Sequence, residues 1–195
     1  MRAGLTGVVG AAAISLILAV PPVRADLSSA LNPFSAYQNN IARVTAQNDV
    51  GRVRALLASG NSPNDIDDGG RTGLHVAAAN GNIQIIAILI KGGATIGQRD
   101  GLGETALHYA AEHDHAEIVK LLLDVGAAID AQDKNGMTPL MLGARGGKVE
   151  IVRTLLARGA NPNKTDFTGR DVAGWALEGH KQTVVQLIKQ AASKK

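Results

Sequence analysis

The strongest candidate for chemistry in this sequence is a short run of metal-binding residue types, His113, Asp114 and His115, with His108 nearby. Imidazoles and carboxylates are ligands that zinc and other transition metals accept. Ligands this close in sequence need a loop that turns all of them inward, whereas we expect a turn between two helices here. Metal binding is therefore the lesser alternative, and the prediction is a protein without a metal or a cofactor.

Two glycine-rich stretches share some features of phosphate-binding loops. Residues 101–106 have the glycine spacing of a dinucleotide fingerprint, which requires a preceding strand in a parallel sheet, and no such strand is expected. Residues 143–148 lack the first glycine of a phosphate loop and the Ser or Thr after its lysine. The chain contains no Gly-x-Ser-x-Gly or His-Glu-x-x-His motif. We therefore do not predict an enzyme.

The composition narrows the class of protein further. The chain has 195 residues, of which 45% are hydrophobic and 19% charged, and this fits one ordinary globular domain. The absence of cysteine excludes disulfides, thiolate zinc sites and a lipidated N-terminal cysteine. The net charge is +3, and two of the 20 basic residues, Arg2 and Arg24, lie in a segment that we expect to be removed. Because the remainder is nearly neutral, nucleic acid is not an expected partner.

The N-terminus has the layout of a secretory signal. Arg2 is followed by an uncharged, largely apolar run up to Val23, with a proline pair near its end. We predict a signal peptide over residues 1–25, cleaved between Ala25 and Asp26. In a bacterium the mature protein would then be periplasmic and would not contact a membrane. The alternative is an uncleaved anchor that tethers an adaptor to the membrane, since about 20 apolar residues can span a bilayer.

A period of 33 residues organises the rest of the chain, and repetition of this kind decides the architecture before any single motif does. The aspartates of this period recur too regularly for an acid–base pair, and they indicate turns instead. The residues in register are Asp67, Asp100, Asp133 and Asp166; Gly70, Gly103, Gly136 and Gly169; Thr72, Thr105 and Thr138; and Leu74, Leu107 and Leu140.

Each 33-residue unit has a physical interpretation. The aspartate and the glycine form a tight turn, in which the carboxylate accepts backbone N–H bonds and the glycine adopts a positive φ. The threonine then caps a helix, as Asp171 does in the last unit. After a polar break comes a second, more apolar helix, which Gly126 ends in the left-handed conformation in one unit. One unit is therefore a helix, a turn, a second helix and a projecting hairpin.

Two further features indicate how the units stack. Small residues at one position, Ala77, Ala110 and Gly143, are expected to let adjacent first helices approach closely. His75 and His108 stand three residues after a capping threonine, where an imidazole can hydrogen-bond the cap and brace the adjoining unit. We therefore expect both histidines to be structural. No unit can bury all of its apolar surface alone, so its stability must come from its neighbours.

The repeated unit resembles the ankyrin repeat. Residues 105–111, with the sequence Thr-Ala-Leu-His-Tyr-Ala-Ala, and Thr138-Pro139-Leu140 match the family signature Thr-Pro-Leu-His-x-Ala-Ala, and residues 117–127 match its second helix. The resemblance implies an all-α ankyrin-repeat solenoid of about five helix-turn-helix units with short hairpin loops. The boundaries that follow are a lead at 26–36, a repeat domain at 37–192 and a tail at 193–195, with units at 37–66 (N-terminal cap), 67–99, 100–132, 133–165 and 166–192 (C-terminal cap).

The resemblance also implies a function, because the concave surface of ankyrin proteins commonly binds another protein. We therefore expect a monomeric scaffold with an unidentified protein partner. Candidate contacts are the residues that the repeat does not dictate, and Leu102, Met137 and Phe167 matter most because an apolar residue at an exposed turn needs a reason. Phe167 has the alternative of packing on the last unit. The full set is Arg71, Arg99, Leu102, Glu104, Gln132, Lys134, Asn135, Met137 and Phe167 on the hairpins, and Glu112, His113, Arg145 and Glu178 on the first helices.

Overall fold

The computed structural model of the protein describes residues 39–178 and 181–193. The predicted signal peptide, the predicted lead and the last two residues of the predicted tail lie outside these ranges. The helices in the described residues are α1 (Ile41–Ala46), α2 (Val50–Ala58), α3 (Gly73–Asn80), α4 (Ile83–Lys91), α5 (Ala106–Glu112), α6 (Ala116–Asp124), α7 (Pro139–Gly146), α8 (Val149–Ala157), α9 (Val172–Glu178) and α10 (Gln182–Ala192).

The helices pair into five antiparallel hairpins that stack in chain order. The first helices of the units, α1, α3, α5, α7 and α9, each contact the next one along the stack, and each also packs on the second helix of its own unit. The buried apolar residues form one cluster that runs through all five units. This is an all-α repeat solenoid, as predicted.

Capping residues set where the helices begin and end. Thr138 Oγ1 accepts the backbone N–H of Met141 at 3.3 Å, and Pro139 occupies the first helical position of α7. The carboxylate of Asp171 accepts the N–H of Gly174 at 2.7 Å, which confirms that it replaces threonine as a cap. Gly126 follows α6 with φ +90°, as predicted for a left-handed helix end.

Gly143 differs from the prediction about small residues. A Cβ at this position would lie 2.9 Å from Cγ2 of Ile151, which belongs to α8 of the same unit. The nearest side chains are therefore those of the second helix of its own unit, and not those of an adjacent first helix. The small residue lets the two helices of one hairpin pack closely.

One buried hydroxyl breaks the pattern of the core. Thr45 of α1 is fully buried, and its Oγ1 has no hydrogen-bond partner among the described residues. The residues that follow at the 33-residue period are Ala78, Ala111 and Ala144, all of which are buried. The N-terminal unit therefore contains a polar group where the other units have a methyl group.

Candidate protein-binding surface

The hairpins that follow the second helices are shaped by their aspartates. Asp100 Oδ1 accepts the backbone N–H groups of Leu102 at 2.9 Å and of Glu104 at 2.8 Å. Gly103 closes the turn with φ +80°. The same two bonds and the same glycine conformation recur in the hairpins that begin at Asp67, Asp133 and Asp166. The turn predicted from the period is therefore confirmed.

Main-chain hydrogen bonds join each hairpin to the one before it. They run from the N–H of Gly101 to Gly69 O at 2.9 Å, from Lys134 to Leu102 O at 3.0 Å and from Phe167 to Asn135 O at 3.0 Å. A Cβ at Gly70 would lie 2.9 Å from the nitrogen of Gly101, and one at Gly136 would lie 2.6 Å from that of Phe167. The hairpins therefore form a continuous row that tolerates no side chain at these two glycines.

Two buried histidines connect the first helices to the next hairpin. His75 Nδ1 accepts the backbone N–H of Thr72 at 3.1 Å, and its Nε2 donates to the carbonyl oxygens of Gln98 and Glu104, at 3.0 and 3.1 Å. His108 makes the equivalent bonds to Thr105 and to the carbonyl oxygen of the next hairpin. Burial lowers the pKa of both imidazoles, so both rings are neutral at pH 7. The predicted structural role of the histidines is confirmed.

Two aromatic residues of the first helices bind the second carboxylate oxygen of a hairpin aspartate. The hydroxyl of Tyr109 donates to Asp100 Oδ2 at 2.7 Å, and the indole N–H of Trp175 donates to Asp166 Oδ2 at 3.0 Å. The two pairs are separated by two repeat periods and have the same spacing of nine residues. Burial, followed by the bond to Asp100, raises the pKa of Tyr109, so the phenol stays neutral.

Two candidate contacts are exposed apolar side chains, as predicted. Leu102 is 61% exposed and Phe167 is 71% exposed. The ring of Phe167 lies against Gly136 of the preceding hairpin and leaves most of its surface open. The polar candidates divide by exposure: Arg71, Lys134, Asn135, His113, Arg145 and Glu178 are exposed, whereas Glu104, Glu112 and Gln132 are half-buried.

Met137 is not an exposed anchor, and the expectation that placed it at an open turn is wrong. Its side chain is only 4% exposed and belongs to the apolar core. Its backbone N–H donates to Asp133 Oδ1 at 2.8 Å, and its carbonyl oxygen accepts from His108 at 3.2 Å. These bonds place residue 137 in the inner arm of the hairpin, where its side chain is covered.

Arg99 and Gln132 are equivalent residues, and both bind the main chain. Arg99 Nη1 donates to Gly103 O at 2.7 Å and to Gln132 O at 2.5 Å. Gln132 Nε2 donates to Gly136 O at 2.8 Å and to Thr165 O at 3.0 Å. Each side chain therefore fastens its own hairpin to the next unit, a structural role that was not predicted for either residue.

Alternating charges lie on the first helices at one position of the repeat, occupied by Glu112, Arg145 and Glu178. Arg145 pairs with Glu112 at 2.9 Å across the unit boundary, and Glu178 pairs with Arg170. The guanidinium groups of Arg145 and Arg170 lie 5.7 and 4.5 Å from the ring centroid of Trp175. Because these pairs are solvent-exposed, each contributes less than about 1 kcal/mol to stability, and a partner can reach them.

The histidine run does not assemble a metal site within the described residues. The rings of His113 and His115 are stacked 6.5 Å apart, and His115 Nε2 is engaged with the carbonyl oxygen of Ala79 at 3.0 Å. No group of three His, Asp or Glu side chains is placed to hold a metal ion in the part of the chain that the structure describes.

Sequence reasoning missed one exposed apolar residue. Ile66 is 54% exposed and, with Leu102 and Tyr109, lines a groove of about 670 Å³ between the first two hairpins. The signal was present in the sequence, since Ile66 stands at the position that is polar in the later units, where Arg99 and Gln132 fall.

The chain belongs to the ankyrin-repeat family. The family model for ankyrin repeats in three copies matches residues 40–133, 92–166 and 125–195. A comparison with curated proteins gave no match. Ankyrin repeats are in general non-enzymatic modules that bind other proteins. None of the described helices is both long and apolar enough to cross a membrane.

Proposed function

We propose that this chain is an exported ankyrin-repeat scaffold that binds another protein through the surface formed by its hairpins and first helices. The observation that carries the proposal is the exposure of Leu102 and Phe167 on a row of hairpins fixed by main-chain bonds. Large apolar side chains on rigid, exposed turns are poor neighbours for water and good anchors for a partner. The half-buried and exposed charges around them supply a polar rim.

The compartment is part of the same proposal. The apolar run before Ala25 supports export, and in a bacterium with two membranes the mature protein would be periplasmic. A tethered adaptor is the second candidate, because the same run is long enough to serve as an anchor. Determining the N-terminal residue of the native protein separates the two: Asp26 supports the periplasmic form, and Met1 supports the tethered one.

Crosslinking in the native compartment tests the binding surface. The wild-type chain should capture a defined protein, and the double variant Leu102→Glu with Phe167→Glu should lose that capture while its helix content is unchanged. Ile83→Glu is the matched control, because Ile83 is also apolar and 46% exposed but lies at the start of α4 and not in a hairpin. Undiminished capture by the double variant would refute the proposed surface.

A further inference from the structure

The four hairpin aspartates differ in what binds their second carboxylate oxygen. In the hairpins of Asp100 and Asp166, an aromatic residue nine positions later donates to Oδ2, as described above. Asp67 Oδ2 instead accepts from Arg71 Nε at 2.9 Å. Three of these four carboxylates therefore have both oxygens bonded within the chain.

Asp133 is the exception. Its Oδ1 accepts two backbone N–H groups as in the other hairpins, but the residue nine positions later is Leu142, which has no donor. No group among the described residues donates to Asp133 Oδ2, although the residue is only 8% exposed. A carboxylate oxygen in such a place is costly to leave without a donor.

Further carboxylates surround this position. Glu104 is half-buried, and burial raises its pKa, followed by the negative charges of Asp100, Glu112 and Asp133. These four acidic side chains therefore lie close enough to interact on the concave side of the second and third hairpins. A positive charge placed among them would relieve their mutual repulsion.

The basic residues near this group are engaged elsewhere. Arg145 pairs with Glu112 alone, at 2.9 Å. Arg99 donates to two main-chain carbonyl oxygens, and Lys134 Nζ donates to another at 2.7 Å. None of these three cations bonds to Asp133 or to Glu104, so a cation that does so must come from outside the chain.

We infer that Asp133 and Glu104 receive a lysine or arginine side chain of the protein that binds this surface. The cation would lie over Leu142 and donate to Asp133 Oδ2, in the place that Tyr109 and Trp175 fill in their own hairpins. The inference rests on the proposed function and adds to it the chemistry of one partner residue. A charge-assisted bond at a nearly buried carboxylate favours a cation over a neutral donor.

A displayed library of random peptides provides the probe. Peptides are selected on the full-length chain, and those that lose affinity for the Leu102→Glu, Phe167→Glu variant are kept as binders of the concave surface. We expect these binders to share a lysine or arginine, whose replacement by glutamine weakens binding on the order of tenfold.

Two variants of the protein then locate the cation. Leu142→Tyr copies the Tyr109 arrangement and should supply Asp133 with a donor of its own, which closes the site. Asp133→Asn keeps the acceptor for the two hairpin bonds and replaces Oδ2 with an amide donor. Both should weaken the basic peptides on the order of tenfold. Val76→Tyr is the matched control, since it adds the same ring beside Asp67, whose second oxygen is already bonded.

The outcomes separate the two proposals. Binders without a required basic residue, or basic binders that retain full affinity for both Leu142→Tyr and Asp133→Asn, overturn the inference and leave the proposed function intact. Failure of the Leu102→Glu, Phe167→Glu variant to reduce capture in the native compartment overturns the proposed function itself. A library that yields no binder of the concave surface counts against both.

Discussion

His115 Nε2 lies 3.0 Å from the carbonyl oxygen of Ala79, which belongs to the preceding unit. The ring also lies against the turn of that unit, since a Cβ at Gly81 would be 2.6 Å from its Cε1 atom. The imidazole therefore connects two successive inter-helix turns on the side of the stack away from the hairpins. A residue that could have been a metal ligand stabilises the solenoid instead.

The first prediction concerns this contact. His115→Ala should lower the free energy of unfolding by about 1–2 kcal/mol, because it removes both the hydrogen bond and the packing on Gly81. His113→Ala is the control, and its effect should stay below about 0.5 kcal/mol because its ring is exposed. Urea unfolding followed by circular dichroism measures both. Equal losses in the two variants would contradict the assigned role of His115.

The second prediction concerns a strained backbone position. Asp114 has φ +68°, where the equivalent residues Gly81 and Gly147 have φ +76° and +70°. Asp114→Gly should raise the free energy of unfolding by about 0.5 kcal/mol, whereas Asp114→Ala should lower it by about 1 kcal/mol. Both variants lose the exposed pair with Lys148, so their difference reports the backbone alone. Thermal unfolding of the three proteins should therefore rank them as Gly, Asp, Ala.

The third prediction is a loss of stability in acid. Burial lowers the pKa of His75 and His108 in the folded chain, so the unfolded chain takes up protons first as the pH falls. The stability that they contribute is present above the unfolded pKa of about 6.5 and is lost as the pH falls from about 7 to 5. Protonation at Nδ1 also removes the acceptor for the threonine N–H.

Unfolding in urea at a series of pH values checks this dependence. His75→Gln should be less stable than the wild type at pH 7 but should lose less stability on acidification, since one of the two neutral histidines is gone. A wild-type free energy of unfolding that rises between pH 7 and 5 would show that the sign is wrong.

The fourth prediction concerns the buried hydroxyl of Thr45. Thr45→Val keeps the volume of the side chain and removes the unpartnered polar group, so it should raise the free energy of unfolding by about 1 kcal/mol. Thr45→Ser keeps the hydroxyl and deletes a methyl group, and it should lower the stability instead. Calorimetry of both variants distinguishes the effect of polarity from that of packing.

The features predicted correctly from the sequence are those fixed within a few residues. Asp100 and Gly103 form their turn with each other and with the backbone between them, so the residue types are sufficient to predict it. The same holds for Thr105 and His108, which lie one helical turn apart.

The features that were missed depend on the neighbouring unit. The hairpin of Met137 turns that residue toward the core, and Arg99 reaches the main chain of the following unit across one full period. Subtracting the repeat pattern selects residues that vary between units, and some of these vary because they serve one particular junction. Exposure separates the two kinds: Leu102 is open to solvent, and Met137 is not.

The main-chain bonds between hairpins have a consequence for how such a surface can change. Leu102 and Asn135 lie at tips whose separation is set by backbone atoms, since their carbonyl oxygens accept from the hairpins that follow. Substituting either side chain alters what the tip can recognise without moving the tip itself. A lineage of these proteins can therefore exchange specificity one position at a time, on a frame of constant pitch, while the distance between the points of contact is inherited unchanged.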